Sequence, residues 1–343
     1  MPCEESVCVS IVTFNSGAYI TPCLEAVLAQ TDVRLDVVVV DNASADNTRD
    51  CLQPFAGRIR IILNACNTGF AAAQNQAIAA TKADWFLALN PDVLLQPGFI
   101  ARLVLAAGRH KRVGSVCGKL LAIGPGFRPL NERLLDSTGI VINGALRHSD
   151  RGWHEPDQGQ YDVREYVFGA SGAAALYRRS MIEDLACRGD FFDPAFFCYR
   201  EDADVAWRAQ LQGWRCLYVP EAEAYHVRRV TPEVRRHLPP DINMHSVKNR
   251  FLMRIKNVTA GVYRRHWVQI TARDIAVIGC CLVWEVRSLP AFWLLAKELR
   301  SALAKRREVM RNRRADDEYL GAWFAQPHDV AKPAPAIALR RIT

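Results

Sequence analysis

The sequence lacks the cysteine spacing that zinc sites and disulfide frameworks use. Its eleven cysteines are scattered, no two of them form a CxxC pair, and Cys280 and Cys281 are adjacent within an apolar stretch. This pattern is typical of buried free thiols in a reducing compartment. We therefore expect a cytoplasmic protein.

Three other signals are also missing. The first ten residues, MPCEESVCVS, contain two acids and no apolar core, so we expect no signal peptide. No GxGxxG motif follows the first apolar run, which argues against a dinucleotide-dependent dehydrogenase. Residues 274–299 are strongly apolar, but Glu285, Arg287 and Pro290 interrupt them, so the stretch falls short of a clean membrane span.

Length and charge leave several classes open. Half of the 343 residues are apolar, which fits one large α/β domain with an appendage or two modest domains. The formal net charge is +8. A basic surface of this kind suits nucleic acid, anionic lipid or a phosphorylated substrate, and composition alone does not separate them.

The first half of the sequence alternates strand and helix patterns. Residues 7–13, 35–40, 58–63 and 85–89 are β-rich, and helix-like stretches occupy 19–30 and 71–80. Repeated βα units predict a mostly parallel, Rossmann-like sheet flanked by helices. Ligands of such sheets bind at the carboxyl ends of the strands.

Polar residues follow each of the four predicted strands. The clusters are TFN at 13–15, DNAS at 41–44, NTGF at 67–70 and NPD at 90–92. Each cluster taken singly is what an ordinary turn or helix cap uses. Four of them at one sheet edge predict a ligand site.

Two further groups suit the transfer of a sugar from a nucleotide. Asp92 and His226 each follow a strand and are candidate ligands for a divalent cation that neutralises a leaving diphosphate. Glu201, Asp202 and Asp204 open a predicted helix beside aromatic residues, where an apolar environment raises a carboxylate's pKa. Acids in a first helical turn also stabilise the helix dipole, so a capping role remains an alternative.

As an ordered set, these motifs resemble family 2 glycosyltransferases with the GT-A fold, particularly the bacterial rhamnosyltransferase-like branch. The resemblance covers roughly residues 7–257, and it is specific as a set although each motif alone is weak. The matching segments are VTFN at 12–15, VDNAS at 40–44, NTGF at 67–70, LNPD at 89–92, GASG at 169–172, EDAD at 201–204 and His226.

The resemblance implies roles for the nucleotide-binding residues. Thr13, Asn15 and Asp41 would hold the base and ribose, and Asn67 and Gly69 would approach the ribose and diphosphate. It implies a dTDP- or UDP-sugar and a glycan or lipid-linked acceptor as partners, and no nucleic acid.

The resemblance also implies the catalytic roles. Asp92 and His226 would bind Mn²⁺ or Mg²⁺, Asp202 of the Glu201–Asp202 pair would be the general base, and Gly172 would border the donor sugar. This sequence differs from the family's DxD metal motif, because Asn90 stands in place of the first acid. Metal binding is then expected to be weaker, with one carboxylate missing.

A basic segment near residue 250 has two interpretations. Lys248 and Arg250 resemble a cluster that lies near the diphosphate in relatives, and a solvated surface charge run is the alternative.

The expected reaction is an in-line displacement that inverts the anomeric carbon, with dTDP-rhamnose as the first donor to consider. The acceptor is expected to be a hydroxyl of a bacterial surface polysaccharide or its lipid-linked precursor. A nucleotidyltransferase and a non-catalytic nucleotide-binding protein are the alternatives.

The domain prediction follows from the composition. Residues 1–257 form the catalytic domain, with a nucleotide half at about 1–118 and an acceptor half at about 119–257; a helical, partly basic appendage spans 258–326 and a flexible tail 327–343. The apolar stretch and the basic helix after it predict peripheral contact with the inner face of the cytoplasmic membrane. The alternative is a helical pair that packs on the domain or forms a homo-oligomer.

Overall fold

Strands and helices alternate along the first half of the chain, as the sequence predicts. The computed structural model describes residues 5–108, 110–228 and 240–324; the predicted tail at 327–343 lies outside them. Successive residues of the first strand point into the two apolar cores on either face of the sheet, Val9 into one and Cys8 into the other. The elements are β1 (Ser6–Thr13), α1 (Ile20–Leu28), β2 (Arg34–Asp41), α2 (Thr48–Leu52), β3 (Arg60–Leu63), α3 (Phe70–Ala79) and β4 (Trp85–Leu89).

The middle of the chain completes the sheet and supplies an eleven-residue helix with three acids in its first turn, which we call the acidic helix. In the described part of the chain, ten strands form one mixed sheet, and β8 pairs with β9 apart from it. The elements are β5 (Val93–Leu95), α4 (Phe99–Gly108), β6 (Val113–Ala122), β7 (Leu135–Ser137), β8 (Ile140–Ile142), β9 (His148–Asp150), β10 (Glu165–Val167), β11 (Ala174–Arg178), α5 (Arg179–Leu185), α6 (Glu201–Leu211) and β12 (Arg215–His226).

The strand directions bring three separate segments to one edge of the sheet. The central order is β10–β12–β6–β11–β4–β1–β2–β3. Strands β1, β2, β3 and β4 are parallel, β11 is antiparallel to both β4 and β6, and β12 is parallel to β6. The carboxyl ends of β4 and β12 and the amino end of β11 therefore share an edge, so Asn90, His226 and Gly172 meet there.

Four helices follow the last strand and pack on α6 and on one another. They are α7 (Pro240–Asn257), α8 (Ala260–Val283), α9 (Pro290–Arg311) and α10 (Asp317–Phe324). A third apolar core, which contains Trp207 of α6 and Leu252 of α7, also takes in Ile270 of α8 and Phe324 of α10. The helical C-terminal segment predicted from sequence thus shares a core with the acidic helix.

Candidate active site

The loop that leads into α6 has a strained backbone held in place by α7. Phe197, Tyr199 and Arg200 have positive φ angles of 64°, 65° and 72°, a conformation that costs free energy for residues other than glycine. The side-chain amide of Asn249 donates to three carbonyl oxygens of this loop, at 2.7, 2.8 and 2.9 Å. These bonds stabilise the conformation that directs the first residues of α6 into a cavity.

The two acids at the start of α6 lie in different environments. Asp202 accepts the backbone N–H of Gly172 at 2.9 Å and that of Ala203 at 2.7 Å. Burial raises the pKa of the Asp202 carboxyl, and the Gly172 bond opposes this in part. Burial and the neighbouring Asp202 raise the pKa of Glu201 to about 8. Asp202 is therefore oriented by the backbone, while Oε2 of Glu201 has no hydrogen-bond partner among the described residues.

The predicted metal ligands face each other across the edge of the sheet. The Nε2 atom of His226 lies 3.6 Å from Oδ1 of Asp92. On its other side, Nδ1 of His226 lies 2.7 Å from Oδ2 of Asp136, whose Oδ1 accepts from Nε of Arg228 at 2.6 Å. Burial lowers the pKa of His226, but the carboxylates of Asp136 and Asp92 raise it more, to about 9. The imidazole is thus fixed with Nε2 directed at Asp92.

This pair has donor atoms that suit a divalent cation. One carboxylate oxygen and one imidazole nitrogen match the preferences of Mn²⁺, and a second carboxylate on the far ring nitrogen is the usual support of a ligating histidine. Among the described residues, no cluster of three or more His, Cys, Asp or Glu side chains is arranged to hold an ion. A cation here would therefore complete its shell with oxygens of the donor diphosphate.

A cavity of about 540 Å³ connects the acids with the metal pair. Six of the predicted site residues line it: Asn90, Asp92, Gly172, Glu201, Asp202 and His226. Arg147 and Arg200 also line it and supply positive charge suited to anionic ligands. The structure therefore brings the predicted metal ligands, the two acids and basic side chains into one cavity.

The residues assigned to the base and ribose form a separate, interlinked group. The hydroxyl of Thr13 donates to Asp41 at 3.0 Å, and both side chains are fully buried. Asp41 also pairs with Arg49 at 2.8 Å. Asn15 joins the group through its backbone N–H, which donates to Ser44 at 2.9 Å. Thr13 and Asp41 thus set the shape of this end of β1 and β2.

Gly69 occupies a position where any other residue would be strained. Its φ is +83°, and an added Cβ would lie 2.5 Å from the ring of Phe197 and 2.7 Å from the carbonyl oxygen of that residue. The side chain of Asn67 accepts the Gly69 N–H at 2.9 Å, and Asn42 donates to the Gly69 carbonyl at 3.1 Å. The NTGF turn therefore packs directly on the strained loop before α6.

The basic segment of α7 faces the protein interior. Lys248 is buried and its ammonium donates to the carbonyl oxygen of Ala195 at 2.5 Å. Arg250 is also buried. Burial lowers the pKa of His148 most, and the positive charges of Arg200 and Arg250 lower it further. Lys248 thus contacts the loop before α6, and its predicted role at the diphosphate stays a prediction.

Sequence reasoning missed three residues that organise the site. Asp136, Arg228 and Asn249 hold the predicted metal-ligating histidine and the strained loop, and the sequence motifs give none of them this role, although Asn249 stands between Lys248 and Arg250 of the basic segment. Arg228 stands two residues after His226, so its closeness in sequence to a predicted site residue could have identified it. Asp136 and Asn249 act across 90 and about 50 residues of chain, and no local pattern predicts these long-range contacts.

Comparison with known proteins supports the resemblance that the motifs indicate. Residues 8–186 match the model of the family "Glycosyl transferase family 2". The N-acetylglucosaminyl-diphospho-decaprenol L-rhamnosyltransferase of Mycobacterium tuberculosis is 29% identical over 235 residues, which are 63% of this chain and 74% of the relative. The O-antigen chain rhamnosyltransferase WbaN of Salmonella anatum is 25% identical over 228 residues, 65% of this chain and 66% of the relative.

A solved structure shows the same fold. The crystal structure of GalNAc-T7 with UDP, GalNAc and Mn²⁺ superposes with a TM-score of 0.58 at 14% identity, covering 74% of this chain and 48% of the other. The GT-A fold class predicted from the sequence is confirmed, and the family model covers more than half of the residues. The chain belongs to glycosyl transferase family 2.

Proposed function

We propose that this chain is an inverting, metal-dependent glycosyltransferase that passes a sugar from a nucleotide-diphosphate donor to a hydroxyl of a surface polysaccharide or its lipid-linked precursor. The first donor to consider is dTDP-rhamnose, and a UDP-sugar is the second. Two curated relatives are named as rhamnosyltransferases, and the name of one carries a diphospho-decaprenol acceptor. We place the reaction in the cytoplasm, consistent with cysteines that form no disulfide in the described residues.

The observation that carries this proposal is the position of Asp202. Its carboxylate is held by two backbone N–H groups and shares a cavity with Asp92 and His226. Each oxygen accepts one bond and keeps a lone pair for a further proton. Because burial raises its pKa, Asp202 is a stronger proton acceptor than an exposed aspartate. It would take the proton of the acceptor hydroxyl as that oxygen attacks the anomeric carbon.

The donor diphosphate would leave toward the Asp92–His226 pair. A divalent cation held by these two residues would, when bound, neutralise the charge of the departing nucleoside diphosphate. Asp136 keeps the His226 ring oriented for that contact. The attack and the departure occur on opposite sides of the anomeric carbon, so a single displacement inverts its configuration.

The nucleotide half completes the assignment. We assign the base and ribose to the Thr13–Asn15–Asp41 group and the ribose and diphosphate to the turn with Asn67 and Gly69. Support comes from their place at the carboxyl ends of β1, β2 and β3, where open α/β sheets bind nucleotides.

The experiment is a panel of nucleotide sugars, each incubated with the protein and manganese, with and without a chelator. Release of nucleoside diphosphate that requires the metal is the expected result, strongest for dTDP-rhamnose. Release of pyrophosphate from a sugar phosphate and a nucleoside triphosphate would instead identify a nucleotidyltransferase. Absence of turnover across the panel, with acceptor hydroxyls supplied, would contradict the proposal.

A further inference from the structure

An exposed apolar surface lies on the last helices of the described chain. Seventeen large hydrophobic side chains are exposed in the described residues, and twelve of them belong to α8, α9 or the turn between these helices. Trp284 in that turn has 77% of its surface exposed and Ile275 has 67%. Six of these exposed side chains form what we call the apolar ridge: Ile275, Leu282, Val283, Trp284, Val286 and Trp293.

Helix α8 is apolar on both faces, and among the described residues only one face packs on the protein. Val262, His266, Ile270 and Cys281 form its buried stripe. The stripe of Ile275 and Leu282 faces solvent. A helix that packs on a soluble domain needs one apolar stripe and a polar outer face. The outer stripe therefore calls for a second apolar partner.

The charges around the ridge favour an anionic partner. Residues 258–314 contain twelve basic and four acidic side chains. Lys297, whose ammonium lies over the ring of Trp293, is exposed beside the ridge, as are Arg287 and Arg300. A second copy of the chain on this ridge would bring its basic residues against those of the first. Tryptophan side chains flanked by basic residues are typical of helices that lie in a membrane interface.

We propose that the apolar ridge docks this protein on the surface of a bilayer that contains anionic lipid. The two components of the ridge, apolar area and positive charge, are what reversible attachment requires. This inference goes beyond the transfer reaction and does not depend on it.

The contacts of α8 favour docking on the bilayer over crossing it. By length and composition alone, α8 is long and apolar enough to span a membrane. Its inner face, however, is bonded to α7, because the two terminal nitrogens of Arg254 each donate a hydrogen bond to the Asp274 carboxylate, both at 2.6 Å. A spanning orientation would break this bidentate pair and expose the buried stripe. Docking along the outer stripe keeps both.

The docked helices are also linked to the acidic helix. Lys305 of α9 donates to Asp193 at 2.6 Å, and Lys256 of α7 donates to the other oxygen of Asp193 at 2.6 Å. Lys256 also lies 3.0 Å from Asp204 of α6. A buried network thus joins the helix that carries Trp293 to the helix that carries Asp202.

The test is co-sedimentation with vesicles of phosphatidylglycerol and phosphatidylcholine, compared with phosphatidylcholine alone, in low and high salt. The native protein is expected to sediment with the anionic vesicles, and less so in high salt. Trp284→Glu is expected to lower the partition coefficient about tenfold or more, since it removes apolar area and adds repulsion. Leu105→Glu, at an exposed leucine of α4 with 61% exposure, is the matched control and should bind as the native protein does.

Native protein that stays in the supernatant at low salt would overturn the proposal. Equal binding by Trp284→Glu and the native protein would also overturn it. A native dimer that Trp284→Glu converts to a monomer, without vesicle binding, would assign the ridge to self-association instead. Vesicle binding by a protein that turns over no nucleotide sugar would support docking and count only against the proposed transfer.

Discussion

Asp136→Asn tests how His226, the proposed metal ligand, is held. Asp136 contacts Nδ1 of His226 at 2.7 Å with one oxygen and Nε of Arg228 at 2.6 Å with the other. Asparagine keeps the shape but turns one of these acceptors into an N–H donor, and it removes the charge. One charge-assisted hydrogen bond to the buried pair is lost whichever way the amide points.

The expected size of the effect follows from the role of such supports. Loss of the carboxylate behind a ligating histidine weakens metal binding about 10- to 100-fold, or about 1.4 to 2.7 kcal/mol. The assay is the manganese concentration at half-maximal release of nucleoside diphosphate, with isothermal titration of manganese in the presence of the nucleotide as a check. Turnover at saturating manganese should fall much less than turnover at low manganese.

Asp150→Asn is the control for Asp136→Asn. Asp150 pairs with the same Arg228, at 2.7 Å, and has no bond to His226 in the described contacts. It should leave the manganese midpoint near the native value. A native midpoint for Asp136→Asn would refute the reasoning, and equal shifts in both variants would assign the effect to Arg228 rather than to the histidine.

Three further outcomes are expected. Gly69→Ala should lower the free energy of unfolding by about 1–3 kcal/mol, because its Cβ meets Phe197 at 2.5 Å; Gly57→Ala, with nothing within 4 Å of the added Cβ, should not, and equal melting temperatures for the pair would contradict this. Glu201 has a folded pKa of about 8, above its unfolded value, so native stability should fall as pH rises from about 5 to 8 by up to about 1.4 kcal/mol per pH unit; Glu201→Gln should flatten this fall in denaturant titrations, and an unchanged slope would contradict it. Asp202 must be ionised to accept a proton, and its pKa is raised. As the pH is lowered, kcat should therefore begin to fall at a higher pH than the pKa of an ordinary aspartate would give. A rate that is flat through the weakly acidic range would contradict this.

The alternation of strands and helices was predictable because it is local. A run of valines such as 37–40 is buried on both faces and forms β2 almost where the sequence places it. The expected edge of the site also follows from parallel strands, which bring Asn90 and the clusters at 13–15 and 41–44 to one side. Gly172 reaches this edge differently, from the amino end of the antiparallel β11. Strand direction depends on long-range pairing, so the sequence pattern could not supply it.

The supports of the site could not be predicted for the same reason. Asp136 lies in the three-residue strand β7, and its partner His226 is 90 residues later. The amide of Asn249 binds carbonyl groups about 50 residues earlier. Neither residue type is unusual at its position, and no periodicity connects the partners. Only the packing of α7 and β7 against the cavity shows what they do.

The C-terminal segment allowed two interpretations from sequence, and the structure contains an element of each. One stripe of α8, with Val262 and Ile270, packs on the domain as an ordinary helix does. The opposite stripe, with Ile275 and Leu282, is exposed and apolar. The sequence alone does not show which apolar residues of α8 are buried and which are exposed, because that depends on how the neighbouring helices pack.

The most direct test of the proposed chemistry is the turnover of Asp202→Asn at saturating donor, acceptor and manganese. The substitution removes the proton acceptor and leaves the metal pair Asp92 and His226 unchanged. Turnover should fall by at least ~10²-fold, with little change in the affinity for the nucleotide sugar. Near-native turnover would show that Asp202 only caps helix α6 and would contradict its assignment as the general base.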